Sequence, residues 1–150
     1  MAEVTGIVMP DYHGTGNKNN ENEKEVSKDW LVAVTVDGFA YEIRISAGFK
    51  WDGASIPRAL WRLCGHPFTC PREAAALAHD WLYASHAVDR ETADKIYREL
   101  QKVLGIKFIS RNVEYYTLRI FGGFAWRSHN ETTADALTYG EIDYYYIFPE

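Results

Sequence analysis

The chain has 150 residues, of which 47% are hydrophobic, 25% are charged and 15% are aromatic, and its formal net charge is -5. This size and composition predict a single soluble domain over residues 1–150, and the acidic balance argues against nucleic acid as a partner, because binding phosphates normally requires a basic excess. The first ten residues lack the features of a signal peptide and no apolar run is long enough to span a membrane, so the sequence predicts a cytoplasmic protein.

The first third of the chain favours strands. Residues 3–9 read as a short strand, whereas residues 11–28 are rich in Gly, Asn, Glu and Lys and predict a mobile, exposed polar loop. A functional lid is the alternative interpretation of that loop. Two β-branched and aromatic runs, residues 30–36 and 39–45, are separated by Asp37-Gly38, which is a strong hairpin signal.

The rest of the chain predicts about four helices, after a short extended piece at residues 49–51. Each helix has a recognisable start, namely a serine or aspartate cap or a proline in the first turn. These starts are Ser55 followed by Pro57, Pro71, Asp89 and Ser110. The tail near residues 130–150 is rich in Tyr and predicts either a last strand or an aromatic arm on the surface. The fold class is therefore α+β, with a small antiparallel sheet packed on a cluster of helices.

Five ionisable or hydroxyl side chains stand out because they occur in apolar surroundings. They are Asp52, Ser55, His79, Asp80 and Asp94. A buried charge is costly unless it is paired, hydrogen-bonded or bound to a metal, so these residues predict a catalytic site. Three of them, His79, Asp80 and Asp94, are the predicted ligands of a divalent metal such as Zn, Mn or Ni, which would activate water for hydrolysis.

A purely structural interpretation fits the same residues. Asp52 precedes a glycine and could fix a turn through its own backbone, and Ser55 could be a helix cap. His79 could be a core histidine held by a carboxylate. Asp80 could bind neighbouring backbone N–H groups or pair with one of two arginines, Arg58 or Arg62.

Three further interpretations carry less support from the residues. Cys64, His66 and Cys70 are spaced too widely for a usual zinc site. Ser55 as a nucleophile would use His79 as its base, but no glycine-flanked elbow surrounds it. An aromatic set could stack a ligand, although its helical spacing favours the core. That set is Trp51, Trp61, Trp81, Tyr83, Tyr97 and Trp126.

Three motifs in a fixed order resemble a family of small proteins found in tailed bacteriophages and prophages. They are Asp-Gly-Ala-Ser-Ile-Pro at residues 52–57, His-Asp-Trp-Leu-Tyr at residues 79–83, and the pair Ala93-Asp94. The resemblance implies a phage or prophage origin and one shared site built from these motifs, without an assigned reaction. The His79-Asp80 pair is also similar to that of metal-dependent phosphohydrolases, in which an upstream histidine, here His66, and a distant aspartate, here Asp94, complete the site.

Two hypotheses of different class follow. In the first, the protein is a metal-dependent hydrolase of a small phosphorylated, nucleotide or cell-wall substrate. In the second, it is a non-enzymatic phage protein, either a virion or assembly component or a binder of a host defence protein, and the polar residues only stabilise the core. The expected location is the host bacterial cytoplasm or the virion.

Overall fold

Two antiparallel sheets of three strands each, together with six helices, form the described part of the chain in a computed structural model that covers residues 7–69, 71–128 and 133–147. The strands are β1 Tyr12–Gly14, β2 Lys24–Val26, β3 Trp30–Val36, β4 Phe39–Ile45, β5 Lys50–Trp51 and β6 Gly140–Tyr146. The helices are α1 Arg58–Cys64, α2 Arg72–Ser85, α3 Arg90–Val103, α4 Phe108–Phe121, α5 Gly123–Ser128 and α6 Thr133–Thr138. The predicted α+β class is confirmed.

The larger sheet is built on the predicted hairpin, and its strand order is β3-β4-β6. Asp37 and Gly38 both have positive φ, 51° and 82°, as a two-residue turn between twisted strands requires. Alternate residues of β3 and β4, such as Val32 and Ile43, are buried, and α3 packs against β3. The strand alternative for the tail is confirmed, because β6 pairs with β4 along its whole length.

The smaller sheet, β1-β2-β5, corrects the interpretation of residues 11–28 as a loop. Both β1 and β2 lie in that segment, and β2 pairs with β5 through Lys24↔Trp51. The longest part of that segment without strand structure is the connection between β1 and β2, residues 15–23. The strand predicted over residues 3–9 is wrong for residues 7–9, which have no regular structure, and residues 1–6 lie outside the described range.

The helices begin close to the predicted positions, but their caps differ. Asp89 caps α3 as predicted, since its carboxylate accepts a hydrogen bond from Thr92 N. Ser55 is not a cap, because α1 follows Pro57 and the Ser55 hydroxyl is engaged elsewhere. Ser110 is not a cap either, because α4 begins two residues earlier. Every residue of α2 is buried, so this helix is the centre of the core and carries its polar side chains into it.

Candidate functional site

His79 is the hub of a buried hydrogen-bond chain that joins three predicted site residues. It lies on α2, and its side chain is fully buried. Its Nδ1 lies 2.9 Å from the Oγ of Ser55, in the loop before α1. Its Nε2 lies 2.9 Å from the Oδ1 of Asp94, on α3. Both ring nitrogens are therefore engaged, and the predicted meeting of the two sequence motifs with Asp94 occurs in the structure.

Asp80 continues this chain on the Ser55 side. The Ser55 hydroxyl donates a hydrogen bond to Asp80 Oδ1, and Gly53 N donates to Asp80 Oδ2 at 2.7 Å. Asp80 thus binds the backbone of the loop before α1, as the structural interpretation allowed. The alternative pairing of Asp80 with an arginine of α1 is wrong, because no such ion pair is present among the described residues.

Asp52 is held in place by two hydrogen bonds. Its Oδ1 accepts from Ala54 N at 2.8 Å, which confirms the predicted turn through its own backbone. Its Oδ2 accepts from the side-chain amide of Asn20 at 2.6 Å. Asn20 belongs to the polar loop between β1 and β2, so that loop is tied to the site.

Asp94 closes the other end of the chain. Besides His79, its carboxylate accepts from Tyr83 OH at 2.7 Å and from Arg119 Nη1 at 2.8 Å, and Arg90 Nη1 lies 3.8 Å away. Burial alone would raise the pKa of Asp94, but the hydrogen bonds and charge of His79, with the bonds from Tyr83 and Arg119, outweigh burial and hold this pKa below its ordinary value. Asp94 is therefore ionised near neutral pH.

The pKa of Asp80 moves in the opposite direction. Burial and the neighbouring carboxylate of Asp52 raise the pKa of Asp80 above its ordinary value, against the hydrogen bonds from Ser55 and Gly53 and the charge of His79. Two aspartates that flank one histidine therefore have pKa values shifted in opposite directions. Such a split is typical of acid and base groups in active sites, although structural networks also produce it.

Proton counting along this chain gives two arrangements with the same number of protons. When Ser55 donates to an ionised Asp80, it accepts from His79 Nδ1, and His79 carries protons on both nitrogens. When Asp80 is protonated, it donates to Ser55, which donates to a neutral His79 that still donates to Asp94. A proton can thus pass between His79 and Asp80 through the single hydroxyl of Ser55. The chain is a proton relay in its geometry.

The relay reaches solvent through a cleft in which Asp80 is a wall residue. This site cleft has a volume of ≈600 Å³, within the range of about 300–1,000 Å³ that is usual for small-molecule sites. Four of its wall residues are acidic and one is a lysine, and three are aromatic. It is lined by Glu23, Gly48, Phe49, Lys50, Trp51, Asp52, Asp80, Ala84, Asp135, Ala136, Thr138 and Tyr139.

The arrangement does not fit the predicted metal centre. Among the described residues, no group of three or more His, Cys, Asp or Glu side chains is placed to hold a metal ion. The reason is visible at the predicted ligands His79, Asp80 and Asp94. Asp94 and Ser55 engage both nitrogens of the His79 ring, and Ser55 lies between this ring and Asp80. The spacing of these residues in the sequence predicts their proximity but not the direction in which their lone pairs point.

The remaining predicted residues lie elsewhere. His66, the predicted upstream ligand, accepts from Phe68 N and packs against the rings of Trp61 and Phe68. The Cys64 thiol lies 3.9 Å from Ser110 O, and Cys70 lies outside the described residues, so the zinc interpretation of these cysteines stays untested. The aromatic set is mostly core as favoured, since four of its six members are buried. These are Trp51, Trp81, Tyr83 and Tyr97.

Sequence reasoning missed Tyr83 and Arg119 as partners of Asp94. Tyr83 follows His79 by four residues on α2, so helical spacing places both on one face, and this signal was available. Arg119 is 25 residues from Asp94, and no local pattern links the two. A second buried ion pair, Arg72 with Glu114, was missed for the same reason.

Comparison with known proteins gives a family but no activity. A family model described as "Protein of unknown function (DUF1353)" matches residues 25–118. All five predicted site residues lie within this range. No curated protein and no solved structure matches the chain. None of the helices in the described ranges has the length and apolar character needed to cross a membrane.

Proposed function

The chain belongs to the DUF1353 family of proteins of unknown function, and we propose that it is a hydrolase in which Asp80 exchanges protons with a substrate bound in the site cleft. The observation that carries this proposal is the position of Asp80. This residue is a wall of the cleft, and through Ser55 it is also the end of the relay from His79. A purely structural carboxylate does not need a connection to a cleft of ligand size.

The chemistry follows from the two protonation arrangements. A protonated Asp80 donates its proton to the leaving group as the scissile bond breaks, and water supplies the hydroxyl for the other fragment. Asp52, whose charge contributes to the raised pKa of Asp80, is the neighbouring carboxylate that orients this water and accepts its proton. When the proton that Asp52 gained from water passes to Asp80, both carboxyl groups return to their starting protonation states. Ser55 and His79 act as positioning and relay groups, and Asp94 supports the charge of His79.

The lining of the cleft restricts the substrate class. Glu23, Asp52, Asp80 and Asp135 outnumber Lys50, so a phosphate ester or nucleotide would meet like charge. Of the substrate classes that the sequence suggested, a cell-wall saccharide fits best. Sugars pack on aromatic side chains and donate hydroxyl hydrogen bonds to carboxylates.

Trp51 adds support for binding in the cleft. It is buried and lines the cleft, and its indole N–H has no hydrogen-bond partner among the residues described. An unsatisfied buried donor costs about 1–3 kcal/mol. A ligand acceptor that reaches this N–H would remove that cost, and a sugar oxygen is such an acceptor.

The second candidate function is the non-enzymatic phage protein. The observation that favours it is the completeness of the network, since Ser55, His79 and Asp94 are fully buried and paired. In that case the polar residues stabilise the core and the protein acts through its surface, in a virion or on a host defence protein. A phage or prophage origin, which both candidates share, rests on the resemblance of the three sequence motifs.

The test compares hydrolysis by the wild type and by Asp80→Asn. Dye-labelled, purified peptidoglycan is the substrate, and release of soluble dye is the signal. We expect Asp80→Asn to lose nearly all activity, because the amide cannot act as an acid. Asp143→Asn is the matched control, because its side chain is 67% exposed on the surface of the larger sheet. p-Nitrophenyl phosphate should not be hydrolysed by any variant.

A second variant tests the relay itself. Ser55→Ala removes the hydroxyl between His79 and Asp80. We expect a lower rate with a pH profile shifted relative to the wild type, because Asp80 then titrates without His79 as its proton partner. If a well-folded wild type releases no dye, the hydrolase proposal fails for this substrate class. If Asp80→Asn retains full activity, Asp80 is not the acid group.

A further inference from the structure

The polar loop between β1 and β2, residues 15–23, is ordered by its own hydrogen bonds. Its two ends are joined by the bond from Thr15 N to Glu23 O at 3.3 Å. The Glu23 carboxylate then gathers two side chains on one oxygen, since Thr15 Oγ1 and Asn17 Nδ2 donate to Glu23 Oε1 at 2.7 and 3.2 Å. The loop therefore has a fixed shape that comes from its polar side chains and does not depend on apolar burial.

Asn20 connects this loop to the candidate site. Its Oδ1 accepts from Asn22 N at 3.2 Å, so its amide nitrogen faces away from the loop and donates to Asp52 Oδ2 at 2.6 Å. Asn20 and Asp52 are 32 positions apart in the sequence. Asp52 lines the site cleft, whereas Asn20 is not among the described residues that line it. Asn20 therefore acts on a ligand in the cleft through Asp52.

Asp52 needs a restraint because it lies near a second carboxylate. Its charge contributes to the raised pKa of Asp80, so the two groups repel each other when both are ionised. Ala54 N donates to Asp52 Oδ1, but it belongs to the same turn and moves with it. The bond from Asn20 comes from a different part of the fold and holds the second oxygen. Each oxygen of Asp52 has two lone pairs, so one on each remains for a water in the cleft.

We propose that Asn20 is a positioning residue that holds the Asp52 carboxylate beside Asp80. This inference rests on the proposed function, in which Asp52 orients the attacking water and accepts its proton. It gives the polar loop a role in the site, because the loop supplies both this donor and one wall of the cleft, Glu23.

The pKa of Asp80 reports the position of Asp52 without any substrate. NMR titration of the ¹³C-labelled full chain follows the side-chain carboxyl carbon of Asp80, whose signal is assigned by its loss in Asp80→Asn. Asn20→Ala removes the donor to Asp52, so the charge of Asp52 can move away from Asp80. We expect the pKa of Asp80 to fall by about 0.5–1, which is part of the effect of one neighbouring charge.

Two variants separate this restraint from the general order of the loop. Asn20→Ser keeps an oxygen that can accept from Asn22 N but is too short to reach Asp52. It should therefore lower the pKa of Asp80 as Asn20→Ala does. Asn19→Ala is the matched control, because Asn19 is an exposed asparagine of the same loop and its described hydrogen bond is made by its backbone N–H. It should leave the pKa of Asp80 at the wild-type value. The other charged or titratable groups around Asp80 and its cleft are the same in every variant, namely His79, Glu23, Lys50 and Asp135.

Hydrolysis of dye-labelled peptidoglycan gives the second readout. Asn20→Ala and Asn20→Ser should lower kcat by about 10- to 100-fold, because the carboxylate that orients the attacking water is no longer held in place. The apparent KM should change by less than about 2-fold, since the residues that line the cleft are unchanged. The alkaline limb of the pH–rate profile should move to lower pH, because Asp80 then loses its proton at a lower pH.

The two readouts distinguish failure of this inference from failure of the proposed function. Far-UV circular dichroism first establishes that each variant is folded. An Asp80 pKa that is the same in the wild type, Asn20→Ala and Asn20→Ser overturns the inference, even if the wild type is an active hydrolase. An equal fall of this pKa in Asn19→Ala also overturns it. A wild type that releases no dye, with the pKa changes as expected, overturns the proposed function but supports the restraint on Asp52.

Discussion

Replacing Asp94 by asparagine tests how much the buried network contributes to stability. Asp94 is fully buried and its carboxylate accepts hydrogen bonds from His79, Tyr83 and Arg119. Asparagine keeps the size of the side chain but removes its charge and one acceptor. The Arg119 and Arg90 guanidiniums then lose their carboxylate. The perturbation is therefore electrostatic, with little change in packing.

The size of the stability loss depends on how deeply Asp94 and its arginine partners are buried. Removing one partner of a fully buried ion pair costs about 3–5 kcal/mol. The side chains of Arg90 and Arg119 are 23% and 28% exposed, so water screens part of their charge after the change. We expect the free energy of unfolding to fall by about 2–3 kcal/mol, below the range for a fully buried pair. For a chain of this length that corresponds to a melting temperature lower by roughly 5–10 °C.

Urea denaturation of the wild type, Asp94→Asn and Asp143→Asn measures this difference. Asp143 is exposed and pairs with Arg44 on the surface, so its variant should stay within about 0.5 kcal/mol of the wild type. An Asp94→Asn variant that also stays within about 0.5 kcal/mol would refute the reasoning. If that variant cannot be isolated folded, Arg119→Gln removes one donor and is expected to cost about 1–2 kcal/mol.

The pH dependence of the stability difference between the wild type and Asp94→Asn gives a second check. The folded-state pKa of Asp94 lies below its ordinary value, so its contribution to stability is complete above the unfolded-state pKa of about 4 and is lost as the pH falls through the folded-state pKa. The stability difference between the wild type and Asp94→Asn should therefore shrink in acid. A difference that stays constant down to the acid unfolding of the wild type would show that the carboxylate charge is not its source.

Three further predictions concern Asp80, Gly140 and Glu114. Because the pKa of Asp80 is raised in the folded state, its contribution to stability is complete below the unfolded-state pKa of about 4 and is lost as the pH rises through the folded-state pKa. In urea titrations, the stability of Asp80→Asn relative to the wild type should therefore increase with pH. A stability difference that does not change with pH would contradict this. Gly140→Ala should cost about 1–3 kcal/mol, because a Cβ there would lie 2.6 Å from the Trp81 indole and 2.7 Å from Arg44 O, whereas the control Gly14→Ala meets only the end of a lysine side chain at 3.9 Å. Thermal melts of the two variants would disprove the clash if both shift equally. Glu114→Gln should lower the free energy of unfolding by about 3–5 kcal/mol, because it leaves the buried guanidinium of Arg72 without its carboxylate. Chemical denaturation measures this loss beside the exposed control Glu141→Gln. A loss of stability no larger than that of the control would count against a buried ion pair.

Local signals in the sequence predicted those parts of the fold that local physics decides. Asp37-Gly38 predicted the hairpin because few other residue pairs accept positive φ at both turn positions. Asp89 predicted the start of α3 because its carboxylate reaches an N–H three residues later in the same chain segment. In both cases the interacting atoms are neighbours in sequence, so the rest of the fold does not need to be known.

Local signals were insufficient where a distant partner competes for the same group. Ser55 has the features of a cap, but its hydroxyl binds Asp80, 25 residues away, and α1 begins without a side-chain cap. β2 is too polar to read as a strand, and it exists because its backbone pairs with β1 and β5. The location of the site was predictable because an ionisable residue in an apolar helix must have a partner. The identity of the partner was not, and a metal was inferred where the protein supplies serine, tyrosine and arginine.

The catalytic and the structural hypotheses for the buried polar residues are compatible, because the His79 ring divides the hydrogen-bond network into an Asp94 end and an Asp80 end. At the Asp94 end both carboxylate oxygens accept hydrogen bonds from side chains of α2 or α4, and the carboxylate is held ionised, which is what stability requires. At the Asp80 end the carboxylate borders a cleft and has a raised pKa, which costs stability but provides an acid group. A protein that needed only a stable core would gain from a neutral residue at the Asp80 position. The expectation that Asp94→Asn loses stability while Asp80→Asn loses activity and gains stability therefore follows from one arrangement.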